Sequence, residues 1–489
     1  MRRLLRLLPR LLAFGWFILL AAAGCSATRF THVSCSDGSQ CRKSFGFGSV
    51  CSSDGLCEAA KVPPRCALTF PDDLFTHPDS YKEAIVIGSL MDRSSAAHVV
   101  REKAVRMAVK ELSDMGGLEG KPVAAVFCDI AVKSDYDALT RPAAAVENAK
   151  FLSGQLGVSV IVGPSASGDA QMVWEEMRKR PTVVISPAAT SPSLIALEPP
   201  SSDDQPGFLW RVAPPDSEQG AVIAEDMMSR QVKAVEVIRE TGAYGEGLAQ
   251  IFQDRFSALG GTTVVHSISA DSQIGETSAT VAASASGEVL FISSQQDWVI
   301  KFLNAASSQP GYQTKGIFLT DAAANASVLA GAAAATALFP HVRGTRPAPR
   351  DVQDYVHASF VANYQAQYRG EDPTTATFSD HSYDATWLAL AGSAWSLLRE
   401  GGVTGLGIAR GLRRVSTPGM AAIATIPSSW PLVITAFRSG KAVDLSGASS
   451  ELNFDPVNRN VAAPIEVWAI LSAGGPPSIT HVATKVPGK

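Results

Sequence analysis

Two short segments rich in small hydroxyl residues follow predicted strands and could hold an anion. The first is Gly-Pro-Ser-Ala-Ser-Gly at 163–168, and the second is Ser-Pro-Ala-Ala-Thr-Ser-Pro at 186–192. Hydroxyls and free N–H groups at helix starts bind carboxylates and other anions, although each segment alone also fits ordinary helix capping. Because ligands of parallel sheets bind beyond the carboxyl ends of the strands, two such segments at successive strand ends favour a binding pocket.

Signatures of catalysis are weak in this chain. The segment 163–168 lacks the final glycine of the Gly-x-Ser-x-Gly elbow, and the eight histidines contain no His-Glu-x-x-His motif. Asp380 and His381 have no further ligand at helical spacing, which predicts a surface pair. The glycines at 405–411 miss the dinucleotide-binding spacing. We therefore predict no enzyme, no cofactor and no metal, and a hydrolase acting through Ser165 ranks third among the hypotheses.

The seven cysteines all lie within the first 128 residues. If Cys25 carries a lipid, six remain, an even number that suits disulfides in an oxidising compartment: Cys35, Cys41, Cys51, Cys57, Cys66 and Cys128. The first four of these lie in a segment too short to build its own core, and their gaps of five, nine and five residues fit zinc sites poorly. Their pairing stays open. A bridge between the last two would tie the incoming linker to the main body.

The first 25 residues predict export. Four arginines precede an apolar run of 13 residues at 11–23, which is too short to cross about 30 Å of hydrocarbon but suits a signal peptide over 1–24. Leu-Ala-Ala-Ala-Gly-Cys at 20–25 resembles a lipobox, in which Cys25 is lipidated; a soluble exported protein is the alternative. Ser26 favours the outer membrane. We expect a cell-envelope protein held by its lipid on the periplasmic side.

Charge and length narrow the class of protein. The chain has 489 residues and a net charge of −4, which becomes about −8 when the leader arginines are removed. No basic face is concentrated in the sequence, which argues against a nucleic-acid partner because phosphate contacts need one. The length exceeds what a single hydrophobic core usually supports, so two or more domains are expected.

From residue 83 onward, short apolar runs alternate with longer amphipathic ones. This pattern predicts an α/β fold with parallel sheets covered on both faces. The predicted strands are 84–88, 123–127, 158–162 and 182–185, then 232–238, 262–267, 289–293, 316–319 and 465–471. The predicted helices include 99–112, 143–152, 350–368 and 383–399. Proline-rich stretches at 199–206 and 340–349 indicate crossings or exposed loops, and alanine-rich stretches at 279–285 and 322–337 indicate helical packing faces.

Several motifs occur in a recognisable order along the body of the chain. They are Ile-Ser-Pro-Ala-Ala-Thr-Ser-Pro at 185–192, Arg211-Val212 with Asp216 and Gln219-Gly220, Tyr-Gly-Glu-Gly-Leu-Ala at 244–249, Tyr-Asp-Ala at 383–385 and Asn-Phe-Asp at 453–455. With these motifs, residues 80–472 resemble the periplasmic binding proteins of the leucine/isoleucine/valine type. The resemblance implies two Rossmann-like lobes joined by a three-strand hinge, here preceded by a small disulfide-rich module and linker at 25–66. It implies lobe I at 80–209 and 340–445, and lobe II at 210–339 and 446–475.

The resemblance also implies roles for single residues. A ligand carboxylate would be held on the first lobe by Ser165, Ser167, Ala188 and Thr190. Tyr244 would close over the ligand from the second lobe, and Gln295 would add a contact there. Amino-acid binders of this family place an acidic residue beyond a late strand to pair with the ligand ammonium. Asp321 would serve if the register slips by one from Ala322; otherwise Asp321 is an N-cap of the following helix.

Two functions from different classes follow. The leading hypothesis is a substrate-binding lipoprotein that closes around a small-molecule ligand (an amino acid, amide or carboxylate) and delivers it to ABC permease subunits. The alternative is a regulatory or sensor lipoprotein of the outer membrane that uses the same fold to bind a protein partner. The cysteine-rich module and the doubtful ammonium partner keep that alternative open.

Overall fold

The computed structural model describes residues 33–132, 135–417, 419–472 and 475–486. The predicted signal peptide 1–24 and the lipidation site Cys25 lie outside the described residues. The chain divides into two compact units. Of the described residues, the smaller unit holds 33–61, 73–83 and 155–157, and the larger unit holds the rest. No helix in the described part of the chain is long and apolar enough to cross a membrane.

The smaller unit is built on two disulfides. Helix α1 (Gly38–Phe45) precedes the antiparallel pair β1 (Ser49–Cys51) and β2 (Cys57–Ala59). The bridges are Cys35–Cys51 and Cys41–Cys57, so disulfides rather than zinc thiolates occupy these four sulfurs, as predicted. Gly46 ends α1 with φ +97°, and a Cβ there would lie 2.0 Å from the carbonyl oxygen of Pro78. Only glycine fits such a position.

The first sheet of the larger unit has six strands in the order β3-β5-β4-β6-β7-β8. Strands β4 to β8 run parallel, and β3 is antiparallel to β5. Their bounds are β3 Leu68–Phe70, β4 Ile85–Met91, β5 Val123–Asp129, β6 Val160–Val162, β7 Val183–Ser186 and β8 Leu209–Arg211. The parallel strands consist mostly of buried apolar residues. This is expected because helices cover both faces of a parallel sheet, so that side chains on either face are buried.

The second sheet has seven strands in the order β10-β9-β11-β12-β13-β16-β17. The first five are parallel, and β16 and β17 are added antiparallel. Their bounds are β9 Ala234–Glu240, β10 Thr262–Ile268, β11 Glu288–Ile292, β12 Gly316–Leu319, β13 Val342–Pro347, β16 Ile465–Leu471 and β17 Ser478–Lys485. Val289 and Phe291 join one hydrophobic cluster and Leu290 and Ile292 another. Successive strand residues thus feed cores on opposite faces.

The helices of the larger unit divide between the two sheets. Those packed with the first sheet are α2 (Ala96–Asp114), α3 (Arg141–Lys150), α4 (Ser167–Met177), α10 (Tyr355–Gln367), α11 (Ser379–Glu400), α12 (Gly405–Leu412) and α13 (Trp430–Arg438). Those packed with the second are α5 (Asp216–Ser229), α6 (Ala243–Ala258), α7 (Ile274–Ala282), α8 (Gln296–Ser307) and α9 (Ala326–Gly331). The predicted fold of two α/β lobes is confirmed.

The chain passes between the lobes three times: after β8, after β13, and between the short strand β15 (Asp444–Ser446), which pairs with β14 (Ala422–Ala424), and β16. Two placements differ from the predicted segments. Residues 340–349 were predicted to be a crossing or an exposed loop, and 340–445 were assigned to lobe I, yet β13 pairs with β12 and β16 in the second sheet. Residues 446–475 were assigned to lobe II, yet Ala448, Leu452 and Phe454 pack in the core of the first lobe.

A third disulfide joins Cys66 to Cys128 within the larger unit. Cys66 lies just before β3 and Cys128 lies in β5, so the bridge holds the antiparallel edge strand against its neighbour. This confirms the predicted tie between the incoming linker and the main body.

Candidate ligand-binding cleft

The carboxyl ends of strands from both sheets meet at one small cavity of about 40 Å³. Its lining comes from loops that follow β6, β7, β11 and β12, together with residues of α2, α3 and α6. Both lobes contribute to it. This is where parallel α/β sheets generally bind their ligands.

The loop after β6 is shaped by a glycine that no other residue could replace. Gly163 has φ +95°, and a Cβ there would lie 2.4 Å from the carbonyl oxygen of Leu90. The loop then brings Ser165 to the cavity, where its exposed fraction is 4% and its Oγ lies 3.7 Å from the sulfur of Met91. Ser167 begins α4, so free N–H groups of the first turn lie beside these hydroxyls.

The loop after β7 is fastened to the loop after β6. The Ser186 hydroxyl donates to the carbonyl of Pro164 at 2.5 Å and accepts from the N–H of Ala189 at 3.0 Å. The N–H of Ser191 donates to the Ser167 hydroxyl at 3.2 Å. These bonds hold the two predicted anion-binding segments together as one rigid wall.

On the second lobe, Tyr244 and Asp321 form the opposite wall. The Tyr244 hydroxyl donates to Asp321 Oδ1 at 2.5 Å, and the N–H of Ala322 donates to the same oxygen at 2.9 Å. Burial raises the pKa of Asp321, and the bond from Tyr244 opposes that rise. Asp321 begins the short 3₁₀ turn Asp321–Ala323 and does not cap α9, whose N-cap is Asn325. Its neighbour Ala322 also lines the cavity.

Five of the seven predicted ligand-binding residues lie on the cavity lining: Ser165, Ser167, Ala188, Tyr244 and Asp321. Thr190 lies behind the wall, where its carbonyl accepts from the N–H of Asp216 at 2.9 Å. Gln295 is the N-cap residue of α8 and is not on the lining of the cavity, whereas its neighbour Ser294 is.

Three basic side chains on the lining were not predicted as site residues. Arg141 forms an ion pair with buried Asp169 at 2.8 Å. Burial, followed by the charges of Arg101 and Arg141, lowers the pKa of His98 well below 6.5, so its imidazole is neutral. Arg101 is 4% exposed, and its Nε donates to the carbonyl of Thr377 at 2.9 Å. The sequence gives little indication that these residues line a cavity, because charged residues on an amphipathic helix usually face water.

Phe378 separates this cleft from a second cavity of about 470 Å³. It precedes α11 with φ +69°, a conformation that is uncommon for an aromatic residue. Asp380 and His381 line the second cavity and are 9% and 4% exposed, so the predicted surface pair is wrong. Both follow Phe378 into the buried first turn of α11, where His381 Nδ1 lies 2.8 Å from Asp380 Oδ1.

Direct contacts join the two lobes around the cleft. The Ser95 hydroxyl donates to Gln296 Oε1 at 3.0 Å, and the Ser191 hydroxyl donates to the carbonyl of Ala243 at 2.7 Å. Thr377 donates through its hydroxyl to the carbonyl of Ala324 at 2.6 Å. The lobes are therefore closed over the cavity.

Two α/β lobes, three crossings and a cavity between strand ends define the class of two-lobed binding proteins. The chain belongs to the periplasmic binding protein family: the family described as "Periplasmic binding protein" matches residues 84–429.

Curated relatives match over shorter stretches. "Leu/Ile/Val-binding protein homolog 3" of Brucella melitensis is 30% identical over 168 residues, which is 34% of this chain and 40% of that protein. "Leucine-specific-binding protein" of Salmonella typhimurium is 28% identical over 152 residues, 30% of this chain and 36% of that protein. The chain thus spans about two fifths of the length of these relatives.

Solved structures match the fold over their full length. A leucine-binding protein from Thermotoga maritima superposes with a TM-score of 0.65 at 20% identity, covering 82% of this chain and 99% of that one. An ABC-transporter solute-binding protein from R. palustris in complex with benzoate superposes with a TM-score of 0.61 at 16% identity, covering 83% and 97%. At such identities these likenesses speak for the fold alone.

Proposed function

We propose that this chain is a solute-binding protein, not an enzyme, which captures a small carboxylate-bearing ligand between its lobes. The observation that carries the proposal is the convergence of buried Ser165 and Ser167 from one lobe with buried Tyr244 and Asp321 from the other on a single cavity. Because neither lobe holds all of these groups, a ligand binds the closed form more tightly than the open form. Binding therefore shifts the population toward closure.

Each wall of the cleft supplies a different chemistry. The hydroxyls of Ser165 and Ser167 and the first N–H groups of α4 suit a carboxylate. Asp321 suits an ammonium, since both of its hydrogen bonds go to Oδ1. A cavity of about 40 Å³ accommodates only about three waters, so the lobes must stand slightly further apart than in this structure when they close around a ligand the size of an amino acid.

The names of the relatives support a carboxylate as the shared chemical feature. They name leucine, isoleucine and valine in some cases and benzoate or 4-hydroxybenzoate in others. All of these molecules carry a carboxylate, whereas only the amino acids carry an ammonium. The serine wall of the cleft would thus serve every ligand, and Asp321 would serve the amino acids.

Export and partners belong to the same proposal. The leader 1–24 directs the protein to the envelope, Cys25 carries its lipid, and ABC permease subunits receive the closed form. The sequence at 20–25 supports lipidation. The wild type should incorporate a fatty-acid probe, and Cys25→Ala should not. If both proteins are labelled, Cys25 is not the lipidated residue and this part of the proposal fails.

The central experiment is a ligand screen on the purified protein. Amino acids, small amides, aliphatic carboxylates and benzoates would be tested by thermal shift, and each hit followed by calorimetry and small-angle X-ray scattering. A cognate solute raises the melting temperature and reduces the radius of gyration. Native mass spectrometry of protein from its source would identify a retained solute. If no solute from any class binds, the proposal fails.

A regulatory lipoprotein that binds a protein partner is the second candidate. It is favoured by the smaller, disulfide-bridged unit, which has no role in the proposed capture of a solute. Membrane fractionation separates the two: a transport component requires access to inner-membrane permease subunits, whereas outer-membrane location with no solute response supports the regulatory role.

A further inference from the structure

Arg101 lies in the ligand-binding cleft with its charge exposed to the cavity. It is on α2 in the first lobe and is only 4% exposed. Its Nε donates to the carbonyl of Thr377 at 2.9 Å, and its guanidinium carbon lies 5.1 Å from the ring centre of Phe378. Within the described chain, its two terminal nitrogens form no hydrogen bond and no ion pair. These contacts orient the guanidinium and leave the N–H donors of its two terminal nitrogens free.

The other buried arginines of the described chain all use their terminal nitrogens. Arg65 forms an ion pair with Asp137 at 2.7 Å and donates to two backbone carbonyls. Arg211 donates to the carbonyl of Ser191 and to the side chain of Asn460. Arg459 forms an ion pair with Glu198 at 3.2 Å. Since buried charges are normally paired, Arg101 is the exception that needs an explanation.

Nearby acids do not supply the missing partner. Burial lowers the pKa of Arg101 to about 10, and Asp321 and Asp380 oppose that shift only through their charge. Asp380 Oδ1 is already bonded to His381, and Asp321 Oδ1 to Tyr244. If a ligand ammonium pairs with Asp321, the negative charge of Asp321 no longer balances the positive charge of Arg101. An anionic group on the same ligand would restore the balance.

We propose that Arg101 receives a second carboxylate of the ligand, so that the cleft selects small dicarboxylates, acidic amino acids among them, over monocarboxylates. This inference rests on the proposed solute-binding function. The planar guanidinium offers two parallel N–H donors to a carboxylate, a geometry that an amide oxygen matches poorly. The serine wall would hold the first carboxylate and Arg101 the second.

Matched probe pairs test the preference on the wild type. Calorimetry with the full-length protein in detergent would compare L-glutamate with L-glutamine and succinate with succinamate, pairs that differ in one charged oxygen. L-leucine and benzoate represent ligands with a single carboxylate. We expect the diacid of at least one pair to bind tenfold or more tightly than its monoamide.

Variants then assign the preference to Arg101. Arg101→Met should reduce the diacid-to-monoamide ratio at least tenfold, and Arg101→Lys should keep part of it. Lys110→Met removes a cation from a partly exposed site of the same helix and should leave the ratio unchanged. If Arg101 only stabilises the lobe, Arg101→Met lowers the melting temperature without changing the ratio, and this overturns the inference. The wild-type ratio remains decisive if that variant does not fold.

The outcomes separate the two proposals. Tight binding of leucine or benzoate with no advantage for diacids overturns the dicarboxylate inference and leaves solute binding standing. No binding by any probe class overturns both.

Discussion

The phenol oxygen of Tyr244 and Oδ1 of Asp321 lie 2.5 Å apart, although 77 positions separate the two residues in the chain. Tyr244 lies in the first turn of α6, which follows β9, and Asp321 follows β12, so the bond joins two strand ends of the second lobe. It orients the carboxylate and leaves the hydrogen bonds of Oδ1 satisfied. The acid that an amino-acid ligand would need is thereby held in place before any ligand arrives.

Tyr244→Phe should weaken ligand binding about tenfold. A hydrogen bond to a charged group is worth about 1.5–3 kcal/mol, and Asp321 would lose both orientation and stabilisation of its charge. Calorimetry with the tightest solute of the screen measures the change. Tyr355→Phe, at a site that is 66% exposed, is the matched control and should bind as the wild type does. Equal affinities of the two variants would contradict the role of this bond.

Asp321→Asn should distinguish ligands by their ammonium group. An amino acid would lose at least tenfold in affinity, because its buried ammonium would face a neutral amide, whereas the analogue without the amino group would lose little. Competition binding with both ligands measures the two losses on one protein sample. Asp254→Asn, on an exposed face of α6, serves as the control. Equal losses for both ligands would show that Asp321 does not pair with the ammonium.

Ser191→Ala should shift the lobes toward the open form. The hydroxyl donates to the carbonyl of Ala243 across the cleft at 2.7 Å, so its loss weakens closure by about 1 kcal/mol and affinity roughly fivefold. Small-angle scattering without ligand should show a larger radius of gyration than for the wild type. Ser359→Ala, at a partly exposed position of α10, tests for effects of losing a hydroxyl away from the cleft. An unchanged radius would argue against this contact as a latch.

Stability below pH 6.5 should depend on His98. Burial, together with Arg101 and Arg141, holds its folded-state pKa well below 6.5. As pH falls through 6.5, the unfolded chain takes up a proton that the folded protein does not. The free energy of unfolding therefore falls, by up to about 1.4 kcal/mol per pH unit for this group.

Denaturant unfolding between pH 7.5 and 5.5 checks this prediction. The stability of His98→Gln relative to wild type should increase as the pH falls, since the variant has no proton to take up at this position. His341→Gln, at an exposed site, should follow the wild-type curve. Parallel curves for all three proteins would rule out His98 as the source.

The strand periodicity predicted most of the two lobes but not β13. Its flanking prolines indicated a loop, yet Pro347 ends the strand, where a missing N–H costs little, and both neighbouring strands pair with it. Strand β17, after a glycine- and proline-rich stretch, was missed as well. Local composition favours turns at both places, and pairing with β16 overrides it.

The five predicted residues that line the cavity all follow strand ends, where the topology brings them together. Arg101 and His98 reach the cleft differently, from the first turns of a helix. A sequence shows that such residues are charged or polar, but whether they face solvent depends on how closely the second lobe approaches. That distance is set by contacts such as Ser95 with Gln296, 201 positions apart.

The bridge between Cys66 and Cys128 also gives the larger unit a mechanical property. Tension applied along the chain from its N-terminal side reaches Cys66 and passes through the sulfur atoms to a point 62 positions further on. The loop between them, which carries β4, α2 and Arg101, bears none of that load. About 200 Å of chain thus stays locked against stretching until the bridge is reduced. A protein tethered to a membrane by its N-terminus would keep the segment that carries Arg101 unstretched while the tether is pulled.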